Sequence, residues 1–507
     1  MRKLLVFLGL FVVFSVLVSD RVLLAGTEIV ERHSAVPRFT LNDAILTALQ
    51  RNPDIQRARQ EIERTKGLYL ELRADALPRI DATGSFNDTD PHLNNFTGDG
   101  GSGAIIDPVT GESFGGGIES VERSYNLNIQ ATQIIFAGGR VVSQIRSADF
   151  QRDSSYFAFR DTIDLVIATV RQQFYQVLLN RALIGVQEES VNLLQSQLKD
   201  QQNRFEAGTV PRFNVLQAQV ALSNQYPDLI SARNNYRIAQ LQLAKTIGLD
   251  FDPNRGDDPP LEAVGELRQE PRTMSLTRAI EVAKARRPFL KQQKANVLAS
   301  NAQVGIARSG FFPQVSATGG AAFRSSPISE SPSDVRSGYV FGATGSWAIW
   351  DWGQTYGKVK QAKAVLEQSK ITYDDAVRQI ELEVQQAYSN LVQGAELIRS
   401  QQQNVGQAQE ALRLASARLG AGAGTQLEVL NARVEVTRAQ STTLQALFTY
   451  NAAMAEFDRV TATEVTYSNQ LDEPGTRRKL RTDPAPTPPP KPTPLPLNHA
   501  GVRQRTR

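Results

Sequence analysis

Apolar residues recur at every seventh position along two stretches of this chain. Ile163, Val170, Val177, Ile184, Val191, Leu198 and Phe205 form the first series. Val377, Val384, Leu391, Ile398, Val405, Leu412 and Leu419 form the second, each displaced from its counterpart by 214 positions. Strict sevens select helices underwound to about 3.5 residues per turn, so that one apolar seam keeps facing a neighbouring helix. Neither stretch contains proline, and long helices are predicted over 140–205 and 354–419. The first would run roughly 100 Å, longer than a compact domain can hold. Turns at Gly208-Thr209-Val210-Pro211 and at 420–425 lead into return helices over 213–247 and 426–460. The first return helix spans only about 52 Å, and a helix from Pro53 to Leu77 adds about 37 Å, so the two stacked end to end nearly match the long helix. Pro227 stands where the second copy has Ser441, which predicts a kink in the first return helix only.

Between these helices the period changes from seven to two. After Pro78, the residues Ile80, Ala82, Gly84 and Phe86 alternate with Arg79, Asp81, Thr83 and Ser85. Such alternation describes a strand with one apolar and one polar face. Tyr125, Leu127, Ile129 and Ala131 repeat it against Asn126, Asn128, Gln130 and Thr132, as do Val315, Ala317 and Gly319 after Pro313, and Tyr339, Phe341, Ala343 and Trp347 further on. Four strands are predicted, at about 79–90, 124–136, 314–325 and 338–350.

The order of elements occurs twice. Ala44, Ala48, Arg51, Pro53, Arg73 and Pro78 match Ala279, Ala283, Arg286, Pro288, Arg308 and Pro313 at an offset of 235, and from Tyr125/Tyr339 to Tyr236/Tyr450 the offset is 214. The first copy therefore carries extra chain in the Gly-, Asn- and Asp-rich stretch between Phe86 and Ser124, which reads as a loop. The repeats are bounded at 39–250 and 274–463, joined by a linker over 251–273 and preceded by one over 27–38.

Composition narrows the function. The 507 residues include no cysteine, which excludes disulfides, cysteine-bound metals, thiol catalysis and an acylated N-terminal cysteine. The three histidines, His33, His92 and His499, are scattered, so neither a metal site nor a cofactor is expected. The formal charge is +4, but Arg477 to Arg507 carries eight basic residues against Asp483 alone, leaving the rest of the chain net negative. A phosphate-reading surface needs cations on the folded body, so no nucleic-acid partner is expected. The Pro-rich basic tail over 464–507 reads as an extended polyproline segment. At the other end, Arg2 and Lys3 precede an uncharged run from Leu4 to Ser19, which describes a signal peptide over about 1–26; a retained anchor is the competing reading. Asp250-x-Asp252-x-Asn254 has the start of a calcium loop, but Pro253, Arg255 and Leu261 break the pattern and favour a turn between repeats.

Four strands with one lipid-compatible face cannot close a barrel, and an open sheet edge cannot stand in lipid. Closure then requires oligomerisation, and three copies supply twelve strands around a lumen. The chain resembles the TolC-type outer-membrane efflux channels over about 39–460. The resemblance rests on the duplicated element order and on the paired turns Arg204-Phe205-x-x-Gly208 through Asn214-Val215-Leu216-x-Ala218 and Arg418-Leu419-x-x-Gly422 through Glu428-Val429-Leu430-x-Ala432. It implies a mainly α fold with a membrane β-barrel part, a homotrimer whose 12-stranded barrel in outer-membrane lipid continues into a long α-helical barrel in the periplasm. The implied function is an exit duct of a tripartite efflux or type I secretion system, docked to a periplasmic membrane-fusion adaptor and served through it by an inner-membrane pump.

On that basis Arg204, Gly208, Thr209, Arg418, Gly422 and Ala423 are the expected adaptor-docking tips, with Gly208 and Gly422 supplying backbone freedom and close approach. Glu428 and Asn431, with Asn214 at the equivalent point of the first copy, correspond to the family's periplasmic gate; Glu428 reads equally as a helix-start carboxylate. Trp347, Trp350 and Trp352 read as a membrane-interface belt, against plain packing where the last strand meets its helix. The alternative function is a periplasmic adaptor or coiled-coil scaffold, although neither needs four strands with an apolar parity. No nucleophile, base and acid stand at catalytic spacing, so no enzyme is expected.

Overall fold

A computed structural model describes residues 36–88, 105–106, 113–114, 123–250, 260–271, 274–325 and 335–463. The signal segment, the tail and the stretch over 251–259 lie outside these residues. The first copy runs β1 (Arg38–Phe39), α1 (Leu41–Arg51), α2 (Pro53–Ala74), β2 (Arg79–Asp88), a two-residue antiparallel pair β3 (Ile105–Ile106) and β4 (Ser113–Phe114), β5 (Arg123–Ala137), α3 (Arg140–Glu206) and α4 (Arg212–Ile247). After β6 (Glu262–Ala263) the second copy runs α5 (Leu276–Arg286), α6 (Pro288–Arg308), β7 (Gln314–Ser325), β8 (Val335–Ser346), α7 (Gln354–Gly420) and α8 (Gln426–Thr461).

The helices stand in four columns. Helices α2 and α4 line one flank of α3, α6 and α8 line the other, and α7 packs on α6 and α8. The columns are therefore α2 above α4, α3, α6 above α8, and α7, with the sheet at the top. In α7 the buried positions Ile380, Val384, Ala387, Leu391, Gly394 and Ile398 alternate by four and three, as a coiled-coil seam requires. A Cβ on Gly394 would lie 3.1 Å from the Cα of Tyr450, so this glycine lets α7 and α8 approach closely. The first core joins Ala44, Val170, Phe174, Val177, Leu243 and Ile247, and the second joins Ala279, Ile380, Val384, Tyr450, Phe457 and Val460. Each copy thus builds its own core from its long helix, its return helix and a short helix.

The stacked columns have joints, and the two joints differ. In the first, Asn52 caps α2 by accepting from the N–H groups of Asp54 and Ile55, while its Nδ2 donates to the Thr246 carbonyl at the end of α4 (2.7 Å). One buried amide thus serves two helix ends. In the second joint its counterpart is Arg287, buried and ion-paired with Glu383 of α7. Arg459 of α8 reaches the same carboxylate at 3.7 Å and Glu456 at 2.6 Å, and Arg171 of α3 pairs with the buried Asp458 at 3.0 Å. The linker straps the middle of the bundle: Arg181 donates to the carbonyls of Ala263 and Gly265, and Gln240 to that of Leu261.

The sheet order is β2-β5-β7-β8, antiparallel throughout, with β2 and β8 as open edges. Its register aligns the apolar parity of all four strands. Ala82, Ile129, Ala321 and Tyr339 form one row, and Ile80, Ala131, Gly319 and Phe341 the next. Leu127 and Ile129 are exposed, whereas Asn128, Gln130 and Thr132 on the opposite parity are half-buried.

Several expectations are corrected. Strand β8 covers 335–346 rather than 338–350, because its last pair is Gln314 with Ser346 and the preceding Pro313 has no N–H to continue the ladder. Helix α2 ends at Ala74, not Leu77, and an unforeseen 11-residue helix, α1, precedes it, held by a capping box between Thr40 and Asp43. Helix α4 continues on both sides of Pro227, the position of the expected kink, and the exposed site leaves the missing hydrogen bond on the solvent side. The long helices reach Glu206 and Gly420, one residue further than expected.

Candidate functional site at the helical tips and the strand–helix junction

Both hairpins turn with the same backbone chemistry. At the first tip Gly208 takes φ +71°, its N–H donates to Phe205 O, and the Thr209 N–H donates to Arg204 O (both 2.9 Å). At the second, Gly422 takes φ +75°, with Gly422 N–H to Leu419 O (3.1 Å) and Ala423 N–H to Arg418 O (2.9 Å). These are Schellman closures, which satisfy helix-end carbonyls around a left-handed residue. The glycines are therefore needed for their positive φ. Within the chain, a Cβ on Gly208 or Gly422 would meet nothing within 4 Å, whereas one on Gly424 would lie 3.0 Å from the Arg418 Cβ.

The helices leaving the tips start differently. Thr425 caps α8 by accepting from the Glu428 N–H (3.3 Å), and Arg418 lies 3.9 Å from the Glu428 carboxylate while donating to the Ala423 carbonyl. Glu428 is thus a first-turn acid facing a guanidinium of its own chain. Helix α4 starts after Pro211 with no side-chain cap and no acid in its first turn, and Asn214 is half-buried there. Arg204 pairs with Asp200 at 3.0 Å. Asn431 is exposed and borders a cavity of about 560 Å³ between the two hairpins, shared with Ser190, Leu193, Gln225, Arg433 and Val434. Arg433 crosses that gap, its Nη1 donating to the Leu193 carbonyl at 3.0 Å, and burial lowers its pKa. Periodicity gave no sign of this clasp, because it joins residues 240 positions apart.

At the other end of α7 the three tryptophans cluster on the surface. Trp350 and Trp352 meet edge to face with ring centroids 5.7 Å apart, and Trp347 donates its indole N–H to Phe311 O at 3.2 Å. Trp352 is 90% exposed and has φ +53°, a left-handed conformation rare for a bulky side chain. Its counterpart Gly138 takes φ +59° with no room for a side chain, since a Cβ would lie 2.7 Å from Phe312 and Ser309. The second junction has space for an indole that the first excludes. Among the described residues no group of three or more His, Cys, Asp or Glu is placed to hold a metal, and no helix is long and apolar enough to cross a membrane.

The family model for outer membrane efflux proteins matches residues 44–249 and 279–462, which are the two copies. The probable efflux pump outer membrane protein TtgC of Pseudomonas putida is 26% identical over 419 residues, covering 79% of this chain and 78% of that one. The pyoverdine export outer membrane protein OpmQ of Pseudomonas aeruginosa is 23% identical over 407 residues, covering 80% and 81%. Among solved structures, the CmeC outer membrane channel of Campylobacter jejuni superposes with a TM-score of 0.70 at 18% identity, over 87% of this chain and 88% of that one. The adaptor or scaffold alternative falls with these matches. A duplicated four-strand, two-hairpin chain matched along both copies belongs to the outer membrane efflux protein family.

Proposed function

We propose that three copies of this chain form an outer-membrane exit duct that receives its substrate at the helical tips from a periplasmic adaptor and an inner-membrane pump. The outer-membrane location and efflux role follow from the family; the assembly and the docking are the further steps. The observation that carries them is the sheet. Four antiparallel strands leave two open edges, β2 and β8, that run in opposite directions, so β8 of one copy can pair antiparallel with β2 of the next. Open edges cannot stand in lipid, and rotation about one axis closes them all. The helices have the same need: α4 exposes Phe213, Leu216, Val220 and Ile230, and α7 exposes Val365, Leu382 and Leu397, on the two outer columns of the chain.

The tips at Arg204, Gly208, Thr209, Arg418, Gly422 and Ala423 are then the docking points, and Glu428, Asn431 and Asn214 border the periplasmic opening. Trp347, Trp350 and Trp352 lie at the level where strands end and helices begin, where amphipathic rings anchor in the lipid interface. The absence of cysteine allows a clean test. Single cysteines at Thr209 and Ala423 should crosslink to an adaptor in intact cells, while one in β8 should not; capture from neither tip overturns the docking. Mass photometry of detergent-purified protein should give a trimer, and a monomer overturns the assembly.

A further inference from the structure

Four rows of the polar face cross all four strands. From the helices outward they are Arg79–Thr132–Thr318–Gly342, Asp81–Gln130–Gly320–Val340, Thr83–Asn128–Ala322–Gly338 and Ser85–Asn126–Arg324–Arg336. The outermost row is unlike the others. Arg324 and Arg336 are direct cross-strand partners, and like charges set opposite each other oppose strand pairing. Both are exposed, and neither their row nor the next one inward contains an acid. Elsewhere on the sheet the arginines have a close carboxylate: Arg79 meets Asp81 at 2.8 Å and Arg123 meets Asp88 at 3.3 Å. Ser85 and Asn126 complete a row in which every side chain can donate a hydrogen bond.

We propose that Arg324 and Arg336 form an anion-binding ring at the outer end of the lumen, taking solutes that carry carboxylate or phosphate groups. The inference rests on the threefold closure proposed above, which turns the apolar parity to lipid, repeats the row three times on the polar, lumen-side face and gathers six guanidinium groups. Guanidinium binds both oxyanions through paired, charge-assisted hydrogen bonds, and its fork geometry favours them over simple halides. With Glu428 at the far end, the duct carries opposite charges at its two mouths.

Detergent-purified full-length protein is dialysed to equilibrium against labelled pyrophosphate, and separately citrate, in low salt. Mass photometry is run on the same samples. Trimeric wild type should bind both probes, and Arg324→Gln with Arg336→Gln should weaken binding by about tenfold or more. Arg324→Lys with Arg336→Lys keeps the charge and should retain most of it, while Arg79→Gln, two rows further in than Thr83, should leave it unchanged. Roughly 1 M KCl, where the screening length falls to about 3 Å, should abolish binding. Binding of one probe alone supports the ring and narrows its ligand. A trimer that binds neither probe, a glutamine pair that binds as wild type does, or an Arg79→Gln protein that loses as much overturns the ring while the assembly stands. A monomeric sample overturns the closure itself, and the mass separates the two failures.

Discussion

The two copies share one backbone plan but occupy different positions in it. Helix α3 is flanked on both sides and buries eighteen residues; α7, with the same 67-residue length, buries ten, because its outer side has no partner within the chain. Burial therefore follows a column's place in the bundle more than its heptads. Chemistry diverges where the copies meet other parts. The joint between α2 and α4, on an outer column, uses the neutral Asn52, whereas the joint between α6 and α8, enclosed by α3 and α7, uses Arg287, Glu383, Arg459 and Asp458. A duplicated fold can keep its geometry and change what holds it.

The joints should respond most strongly to mutation. Arg287→Ala leaves Glu383 with less compensation and should cost about 3–5 kcal/mol, as for a broken buried ion pair. Asn52→Ala loses a cap and one inter-helix bond and should cost about 1–3 kcal/mol. Thermal unfolding followed by helical circular dichroism should rank them in that order; equal losses would mean that the charge adds nothing to the second joint.

Next come the residues that end the return helices. Gly248 (φ +73°) and its counterpart Ala462 (φ +49°) are both left-handed. A Cβ on Gly248 would lie 2.6 Å from the Arg51 carbonyl, so Gly248→Ala adds a clash to the backbone strain and should cost about 3 kcal/mol. Ala462→Gly relieves strain and should stabilise by up to about 1 kcal/mol. Melting shifts of the same sign would contradict this contrast.

What could be read in advance was what repeats at short range. The sevens of Val170, Val177 and Val191 and the alternation of Leu127 and Ile129 report a helix and a strand because neighbouring residues share one environment. The duplication then extended each element to its second copy, and the paired Gly208 and Gly422 marked both turns. The joints were not legible, because Asn52 with Thr246, and Arg287 with Glu383, join residues that only folding brings together. Helix α1 was missed although Thr40 and Asp43 hold its signal. At the tips, φ was inferable from glycine, but the absence of any nearby atom was not.

Acidity should separate two carboxylates of the second joint. Burial raises the pKa of Asp161, against Arg287 and Arg459 and with help from Glu383. Burial also pushes Glu383 up, but the Gln379 hydrogen bond and the charges of Arg287 and Arg459 outweigh it and leave the value lowered. A raised acid binds its proton more tightly in the folded state, so stability rises as pH falls through the folded pKa of Asp161, until the unfolded state is protonated too. A lowered acid does the reverse, and the contribution of Glu383 is lost below the ordinary carboxylate range. Asp161→Asn should therefore abolish a gain in melting temperature on mild acidification, and Glu383→Gln should flatten the loss at lower pH. Unaltered profiles in both variants would remove the joint from the acid response.

The smallest effect is expected at the tips, where the copies differ by one cap and one acid. Glu428 lies in the first turn of α8, and a half-exposed carboxylate there stabilises the helix by only about 0.3–1 kcal/mol. Glu428→Gln keeps the Thr425 cap, which binds the backbone N–H, so folding should barely change. Its effect should appear in transport. In a trimer three such carboxylates surround one axis and favour cations, but Arg418, 3.9 Å away on the same chain, offsets part of that charge. In planar-bilayer recording under a salt gradient, Glu428→Gln should shift the reversal potential toward anions and Arg418→Gln should shift it toward cations. Opposite shifts place the pair at the constriction. If neither variant moves the potential, Glu428 is a helix-start carboxylate like any other, and the charge asymmetry between the two tips has no bearing on the path of the solute.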